Sequence, residues 1–295
     1  MDNKMKIFGI GISGLVGSRI AEVLKDHYIF DNLSLDAGVD ITKPETLEVI
    51  RKDTAHPIVL HLAAKADVDG CEQDKEAGED GQAYQFNVVG TQNVVDACRE
   101  SGKKVIYIST DFVFGGEKPE GESYLEGDTP NPVNWYAKTK YLGEEIVKNA
   151  GLPFIITRLA YPYRKDVFAP KKDFVHAIMG RLQAAQPVKA VADHVMVPTF
   201  LDDIAFALGA LMREDAEGIY HVVGSQSLSP YDAAMLIAER FNFDKALISK
   251  TTREEYFKGK APRPFNLSLN NDKIQKLGVK MRGFEEGLAE LRVEG

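Results

Sequence analysis

Met5-Lys-Ile-Phe-Gly-Ile10, followed at once by Gly11-Ile-Ser-Gly14-Leu-Val-Gly17, is the stretch that decides the fold. The apolar run Lys6–Ile10 ends in glycines, and Ser18–Lys25 then takes helical spacing at Ile20, Val23 and Leu24. A strand, a glycine turn and a helix in that order read as the entry to a dinucleotide-binding unit. The turn needs a residue without a Cβ, and a pyrophosphate needs close backbone approach. The helix N-terminus adds N–H donors and a positive dipole end for the phosphates. The register Gly9-x-Gly11-x-x-Gly14 also fits the pattern, but Gly9 falls inside the strand, so Gly11, Gly14 and Gly17 are preferred. Ser13, Leu15 and Val16 lie in the same loop and complete its candidate phosphate contacts.

Working outward, apolar strand-like runs recur at Leu33–Leu35, Ile58–Leu62, Val105–Ser109 and Phe154–Thr157. Helical patterns at Pro44–Lys52, Ala83–Ser101 and Tyr136–Ala150 lie between them. Strands that are apolar throughout and alternate with helices predict a parallel sheet covered on both faces. The expected class is α/β: a Rossmann-type doubly wound parallel sheet with a smaller, interleaved C-terminal substrate domain. After Arg158 the pattern loosens. It predicts helices at Phe174–Ala185, Phe200–Arg213, Ser229–Phe241 and Gly283–Val293, short strands within Val188–Pro198, and a strand at Ile219–Val223. Residues 1–160 with approximately 200–224 are assigned to the cofactor domain. Approximately 161–199 and 225–295 are assigned to the substrate domain.

The 295 residues carry 44 acidic and 36 basic side chains, a formal charge of −8 that argues against a nucleic-acid partner. Cys71 and Cys98 have no metal or disulfide spacing and read as reduced thiols. The polar N-terminus has no apolar signal core, and no apolar run approaches a membrane span. The expectation is a cytoplasmic protein with no metal and no membrane partner.

Asp36 stands 25 residues after Gly11, where a carboxylate can accept from adenosine ribose hydroxyls and repel a 2′-phosphate. Asp40 and Ile41 follow; Asp40 reaches the adenine or caps the helix that begins at Pro44. Further along, Tyr136 and Lys140 are i and i+4 on one helical face. A tyrosine titrates near pH ~10, and a nearby ammonium is expected to draw that value toward working pH for acid–base chemistry. Ser109-Thr110-Asp111 ends a strand upstream and offers a hydroxyl to a substrate carbonyl in the same crevice.

These motifs together resemble those of extended short-chain dehydrogenases, and within them the dTDP-4-dehydrorhamnose reductase family. The resemblance is carried by Gly11/Gly14/Gly17, His61-Leu-Ala-Ala64, Asn87 in Phe86-Asn-Val-Val-Gly90, Ser109-Thr-Asp-Phe-Val-Phe-Gly115, Tyr136-x-x-x-Lys140 and Gly143-Glu144. Asp203-Ile-Ala205, Tyr220-His221 and Arg263-Pro264 extend it nearly to the C-terminus. It implies NAD or NADP, in reduced form as hydride donor, and a nucleotide-sugar substrate reduced at a C4 carbonyl in dTDP-L-rhamnose synthesis. By resemblance, Tyr136 protonates the C4 oxygen, Lys140 holds the nicotinamide ribose and tunes Tyr136, and Thr110 hydrogen-bonds the reacting oxygen. Leu62, Ala63 and Ala64 line the cofactor groove, and Asn87 supports the central helix beside it. Asp111, Val113, Phe114, Trp135 and Arg263 face the substrate, with Arg263 on the diphosphate.

Departures bear on the sugar. Lys65-Ala66, Asp173 and Ala160-Tyr161 differ from the family's usual residues at substrate-facing positions. A 4,6-dehydratase would want a second acid after Asp111, where Phe112 stands. A sugar-nucleotide epimerase shares the tyrosine and lysine. The β subunit of methionine adenosyltransferase, a non-catalytic regulatory protein, resembles the same family. Relatives of this kind form dimers, so a homodimer is compatible with the resemblance.

Overall fold

A computed structural model describes residues 4–291. Six parallel strands form one sheet: β1 (Met5–Ile10), β2 (Tyr28–Asn32), β3 (Ile58–His61), β4 (Lys104–Thr110), β5 (Phe154–Leu159) and β6 (Gly218–His221). Their spatial order is β2-β1-β3-β4-β5-β6. The chain leaves β1 to one side and returns on the other at β3. That reversal opens a crevice at the carboxyl ends of these strands.

Alternation along each strand sends side chains to two separate cores. Ile7, Leu60, Ile106 and Ile155 face helices α1 (Leu15–Leu24) and α4 (Leu201–Arg213) through Ile20, Leu24, Ile204 and Leu208. Phe8, Val59, Val105, Tyr107 and Ile156 face α2 (Gly90–Ser101) and α3 (Trp135–Lys148) through Val94, Val95, Cys98 and Val147. Both faces of the central strands are therefore covered, as the uninterrupted apolar runs require. Each buried Val, Leu or Ile side chain contributes roughly 1.5–3 kcal/mol.

A third core lies beyond the sheet. Helices Phe174–Gln183 and Pro230–Arg240 pack Val175, Met179, Ala234 and Ile237 against Val188, Ile248, Phe284 and Leu288. Two small parallel pairs brace it, Val188–Val191 with Ile248–Thr251 and Pro162–Tyr163 with Thr199–Phe200. Its segments come from both sides of α4 and β6, so the smaller unit is interleaved with the sheet unit.

Four elements differ from expectation. The second strand is Tyr28–Asn32 and not Leu33–Leu35, because an edge strand half open to water needs no continuous apolar run. Leu35–Ala37 is instead a 3-10 turn. The Pro44–Lys52 helix opens as a 3-10 turn over Pro44–Leu47. The long helix before Ser101 contains a π-turn at Gln85–Val89. The last helix is Phe284–Ala289, and positions 292 and 293 of the expected Gly283–Val293 helix lie outside the described residues. Cys71 and Cys98 are both buried free thiols. Among the described residues no helix is long and apolar enough to cross a membrane.

Candidate active site

The glycine turn sits where β1 meets α1, and Gly9 lies within β1. Gly11 has φ +81°, and a Cβ there would stand 2.7 Å from the Ala63 amide nitrogen. A Cβ on Gly17 would stand 2.5 Å from Ile12 Cα. The first glycine thus lets the turn press against the end of β3, and the second lets α1 pack onto the turn. Ser34 Oγ accepts from the Gly11 amide at 2.9 Å and ties the turn to the chain after β2.

Clefts open on both sides of this turn. One, about 480 Å³, is lined by Ser13, Ser34, Asp36, Ile41, Ala63 and Phe86. Asp36 is exposed there, and its Oδ1 accepts from Ser13 Oγ at 3.1 Å and from Asn32 Nδ2 at 3.3 Å. Asp40 does not line this cleft: its Oδ1 is occupied by the amide and hydroxyl of Thr42. The two clefts share Gly11, Gly14, Leu62 and Ala64. An elongated dinucleotide fits a groove that bends around a glycine-bounded turn in this way.

The other cleft, about 670 Å³, gathers the hydroxyl and titratable side chains of the two motifs. Leu15, Val16 and Gly17 line it beside the glycine turn, and Ser109, Thr110, Asp111, Tyr136 and Lys140 form its floor. β4 ends at Thr110, whose Oγ accepts from the Phe112 amide at 3.3 Å and starts a 3-10 turn. α3 begins under the Asn134 side chain, which accepts from the Ala137 amide at 2.9 Å. That cap sets Tyr136 and Lys140 on the face turned toward β4.

Lys140 Nζ donates to the Ile108 carbonyl at 2.8 Å and lies 4.0 Å from the Tyr107 ring centroid. Burial pulls its pKa down to about 7, with the Glu144 charge opposing. Tyr136 behaves differently from the sequence expectation. Burial raises its phenol well above the ordinary value; the Thr110 hydroxyl opposes this, and the Asp111 and Cys71 charges add to it. The Lys140 ammonium makes its hydrogen bond to the Ile108 carbonyl and none to the phenol. The phenol is therefore held protonated, as a proton donor must be.

Several residues act from behind the wall. Ser109 Oγ donates to Glu144 Oε1 at 2.6 Å, and Thr110 Oγ lies 2.9 Å from Asp111 Oδ1. Asn87 is fully buried; it accepts from the Lys65 amide at 2.8 Å and donates to Thr139 Oγ at 2.9 Å. It joins the π-turn to α3 and to the segment after β3, and so supports the groove without lining it. Val113 and Phe114 turn away into a cluster where Phe114 stacks on Tyr124 at 4.2 Å. Trp135 packs beside Tyr84, 6.5 Å between rings, outside the cleft lining. None of these three expected substrate contacts lines the cleft.

Phe112, Pro162 and Phe257 also line this cleft and carried no sequence signal beyond being apolar. Lys171 and Arg263 bring positive charge to the same wall. Arg263 donates to Asp69 Oδ1 at 2.7 Å and to the Ala261 carbonyl at 2.7 Å. Tyr161 has φ +40°, a costly conformation for a non-glycine residue. His194 Nδ1 faces the Pro264 carbonyl at 2.8 Å, so it carries the proton. Nε2 then accepts from the Tyr161 hydroxyl at 3.0 Å. Burial pulls His194 down to about 4, which keeps it neutral.

The RmlD substrate binding domain model matches residues 5–294. The spore coat polysaccharide biosynthesis protein SpsK of Bacillus subtilis is 31% identical over 79% of this chain and 77% of its own length. The methionine adenosyltransferase 2 subunit beta of Xenopus tropicalis is 29% identical over 95% of this chain and 85% of its own length. A solved dTDP-4-dehydrorhamnose reductase from Bacillus anthracis, in complex with NADP, superposes with a TM-score of 0.87 at 28% identity, covering 98% of both chains.

Proposed function

This chain belongs to the RmlD substrate binding domain family, and from that premise we propose that it is an NAD(P)H-dependent reductase of a 4-keto nucleotide sugar, with dTDP-4-dehydrorhamnose as the substrate. The observation that carries this reading is the meeting of Thr110, Tyr136 and Lys140 on the floor of one cleft beside the glycine turn. A binding protein would need the fold but not a protonated phenol, a threonine hydroxyl and a buried lysine lining the same space.

Reduced nicotinamide, when bound, supplies the hydride to the C4 carbon. The residues of this chain handle the oxygen. Tyr136 donates its proton to the C4 oxygen as that oxygen gains negative charge, giving a hydroxyl. Thr110 directs a hydrogen bond at the same oxygen and stabilises the developing charge. Lys140, anchored on Ile108, presents donors at the cofactor end of the floor. Apolar Leu62, Val68 and Phe112 exclude water from the reacting atoms. Arg263 and Lys171 are the cations available on the substrate wall for the diphosphate.

The test is consumption of NADH and NADPH with a panel of 4-keto nucleotide sugars. Turnover with dTDP-4-dehydrorhamnose above the other sugars is expected. Cofactor binding with no turnover on any member would overturn the reading in favour of a regulatory protein.

A further inference from the structure

Thr110 has one hydroxyl proton, and more than one acceptor claims it. Thr110 Oγ lies 2.9 Å from Asp111 Oδ1. The same oxygen accepts from the Phe112 amide and lies within reach of the Tyr136 phenol. If Asp111 is a carboxylate, it takes that proton, and none is left to point at a substrate oxygen. If Asp111 is a carboxylic acid, its own proton goes to Thr110 Oγ. Thr110 then accepts from Asp111 and Phe112 and donates into the cleft, which satisfies both lone pairs and the proton.

The surroundings of Asp111 favour the acid. It lines the cleft, yet is only 2% exposed. Its Oδ2 is buried with no hydrogen-bond partner. A buried carboxylate with an unpartnered oxygen and no paired cation is far costlier than a neutral acid in the same place. Tyr136 from α3 and Tyr161 from the segment after β5 are the titratable groups that interact with it, and both phenols are held protonated. No charged side chain contributes to the shift of Asp111, which burial pushes up to about 7.

We propose that Asp111 works as a neutral carboxylic acid that donates to Thr110 and so turns the Thr110 hydroxyl proton toward the reacting oxygen. Asp111 is then a positioning residue, effective only while protonated. No net proton leaves it during turnover, since Tyr136 supplies the one that the product keeps. The consequence is a fall in rate as pH rises through the Asp111 titration. This rests on the reductase reading, but the protonation state itself does not.

The experiment has a part that needs no substrate. Infrared spectra of the wild-type protein at pH ~6 should show a protonated-carboxyl stretch that is absent in Asp111→Asn and fades as pH rises past about 7. Absence of an Asp111-dependent band would overturn the proposal whatever the substrate is. In kinetics, the wild-type pH profile should carry an alkaline fall that Asp111→Asn abolishes, because the amide donates at every pH. Lys140 also titrates near that range, and a fall that persists in Asp111→Asn belongs to Lys140 and overturns the proposal. Asp111→Ala should lower kcat roughly 10-fold below about pH 7, where the wild-type acid is protonated, and the gap to the wild type should close at higher pH.

Discussion

Arg158 and Glu144 form a two-point ion pair with both side chains out of solvent: Nε to Oε1 at 3.0 Å and Nη2 to Oε2 at 2.7 Å. The pair links β5 to α3 directly behind the catalytic floor. Glu144 Oε1 also takes the Ser109 hydroxyl, and Arg158 lies 4.9 Å from the Phe114 ring centroid. Arg158 therefore has no access to a ligand and serves the frame. Removing one partner leaves the other charged, buried and unpaired. Glu144→Ala should cost about 3–5 kcal/mol of unfolding free energy, and Glu144→Leu with Arg158→Met together should cost less than either single change. Urea denaturation of Glu144→Ala, Glu144→Leu, Arg158→Met and the double variant checks this; additive losses in the double variant would mean that the pair is not the source.

Tyr136→Phe keeps the ring and removes the donated proton. Turnover should fall by ~10²–10⁴, with cofactor affinity little changed. Steady-state kinetics and NAD(P)H fluorescence titration measure the two effects separately, and near-normal turnover would exclude Tyr136 from the proton transfer.

Lys140 is a charge held in a place that suits function better than stability. Its folded pKa is pulled down to about 7, below the unfolded value of ~10.4. The folded state thus binds fewer protons than the unfolded state between those limits. The cost to stability is complete below about pH 7 and fades as pH rises toward ~10.4. Lys140→Met should be more stable than the wild type at pH 6, by on the order of 1–3 kcal/mol, and catalytically impaired. Its advantage should shrink at pH 9. Thermal unfolding at both pH values decides; a Lys140→Met protein less stable at pH 6 contradicts the sign.

Much of this was legible in the chain because parallel-sheet strands are written as apolar runs and the turn beside the cofactor is written in glycine. Gly11 and Gly17 are where they are because a Cβ would collide with Ala63 and Ile12. The i,i+4 spacing placed Tyr136 and Lys140 on one face. What spacing could not reveal was where each polar group finds its partner. Lys140 looked like a modulator of Tyr136, yet its ammonium turns to a backbone carbonyl. Phe257 reaches the cleft from a distant segment with no local motif, because only the folding of the smaller unit brings it there. The edge strand Tyr28–Asn32 was missed for a related reason: half-exposed strands do not need continuous apolar sequence.

Asp36 bears on the choice between the two cofactors. It is exposed at the rim of the smaller cleft, and no lysine or arginine lines that cleft among the described residues. A 2′-phosphate would meet a carboxylate without a compensating cation. NADH should bind more tightly than NADPH, and Asp36→Ala should narrow the difference. Dissociation constants for both cofactors check this, and tighter NADPH binding in the wild type would reverse the assignment.

Arg263 gives the sharpest test of the substrate class. It stands between Pro262 and Pro264, which restrict the backbone on either side. The preceding carbonyl is held by Asn134 Nδ2 at 3.0 Å and the following one by His194 at 2.8 Å, so the segment is fixed to α3 and to the smaller unit. Its guanidinium lies over the Phe257 ring, 4.6 Å from the centroid, with one nitrogen on Asp69. Asp69 is partly open to solvent, so the pair is an exchangeable one, and a diphosphate can compete for the fork. Guanidinium binds phosphate oxygens two at a time, which an ammonium cannot reproduce. Arg263→Ala should raise the substrate KM by roughly 10-fold or more while leaving NAD(P)H binding unchanged, and Arg263→Lys should recover only part of the loss. Lys171→Ala should raise KM less, since its side chain is more exposed and is not pre-set. Unchanged kinetics in Arg263→Ala would move the diphosphate site toward Lys171 and leave Arg263 as a structural partner of Asp69.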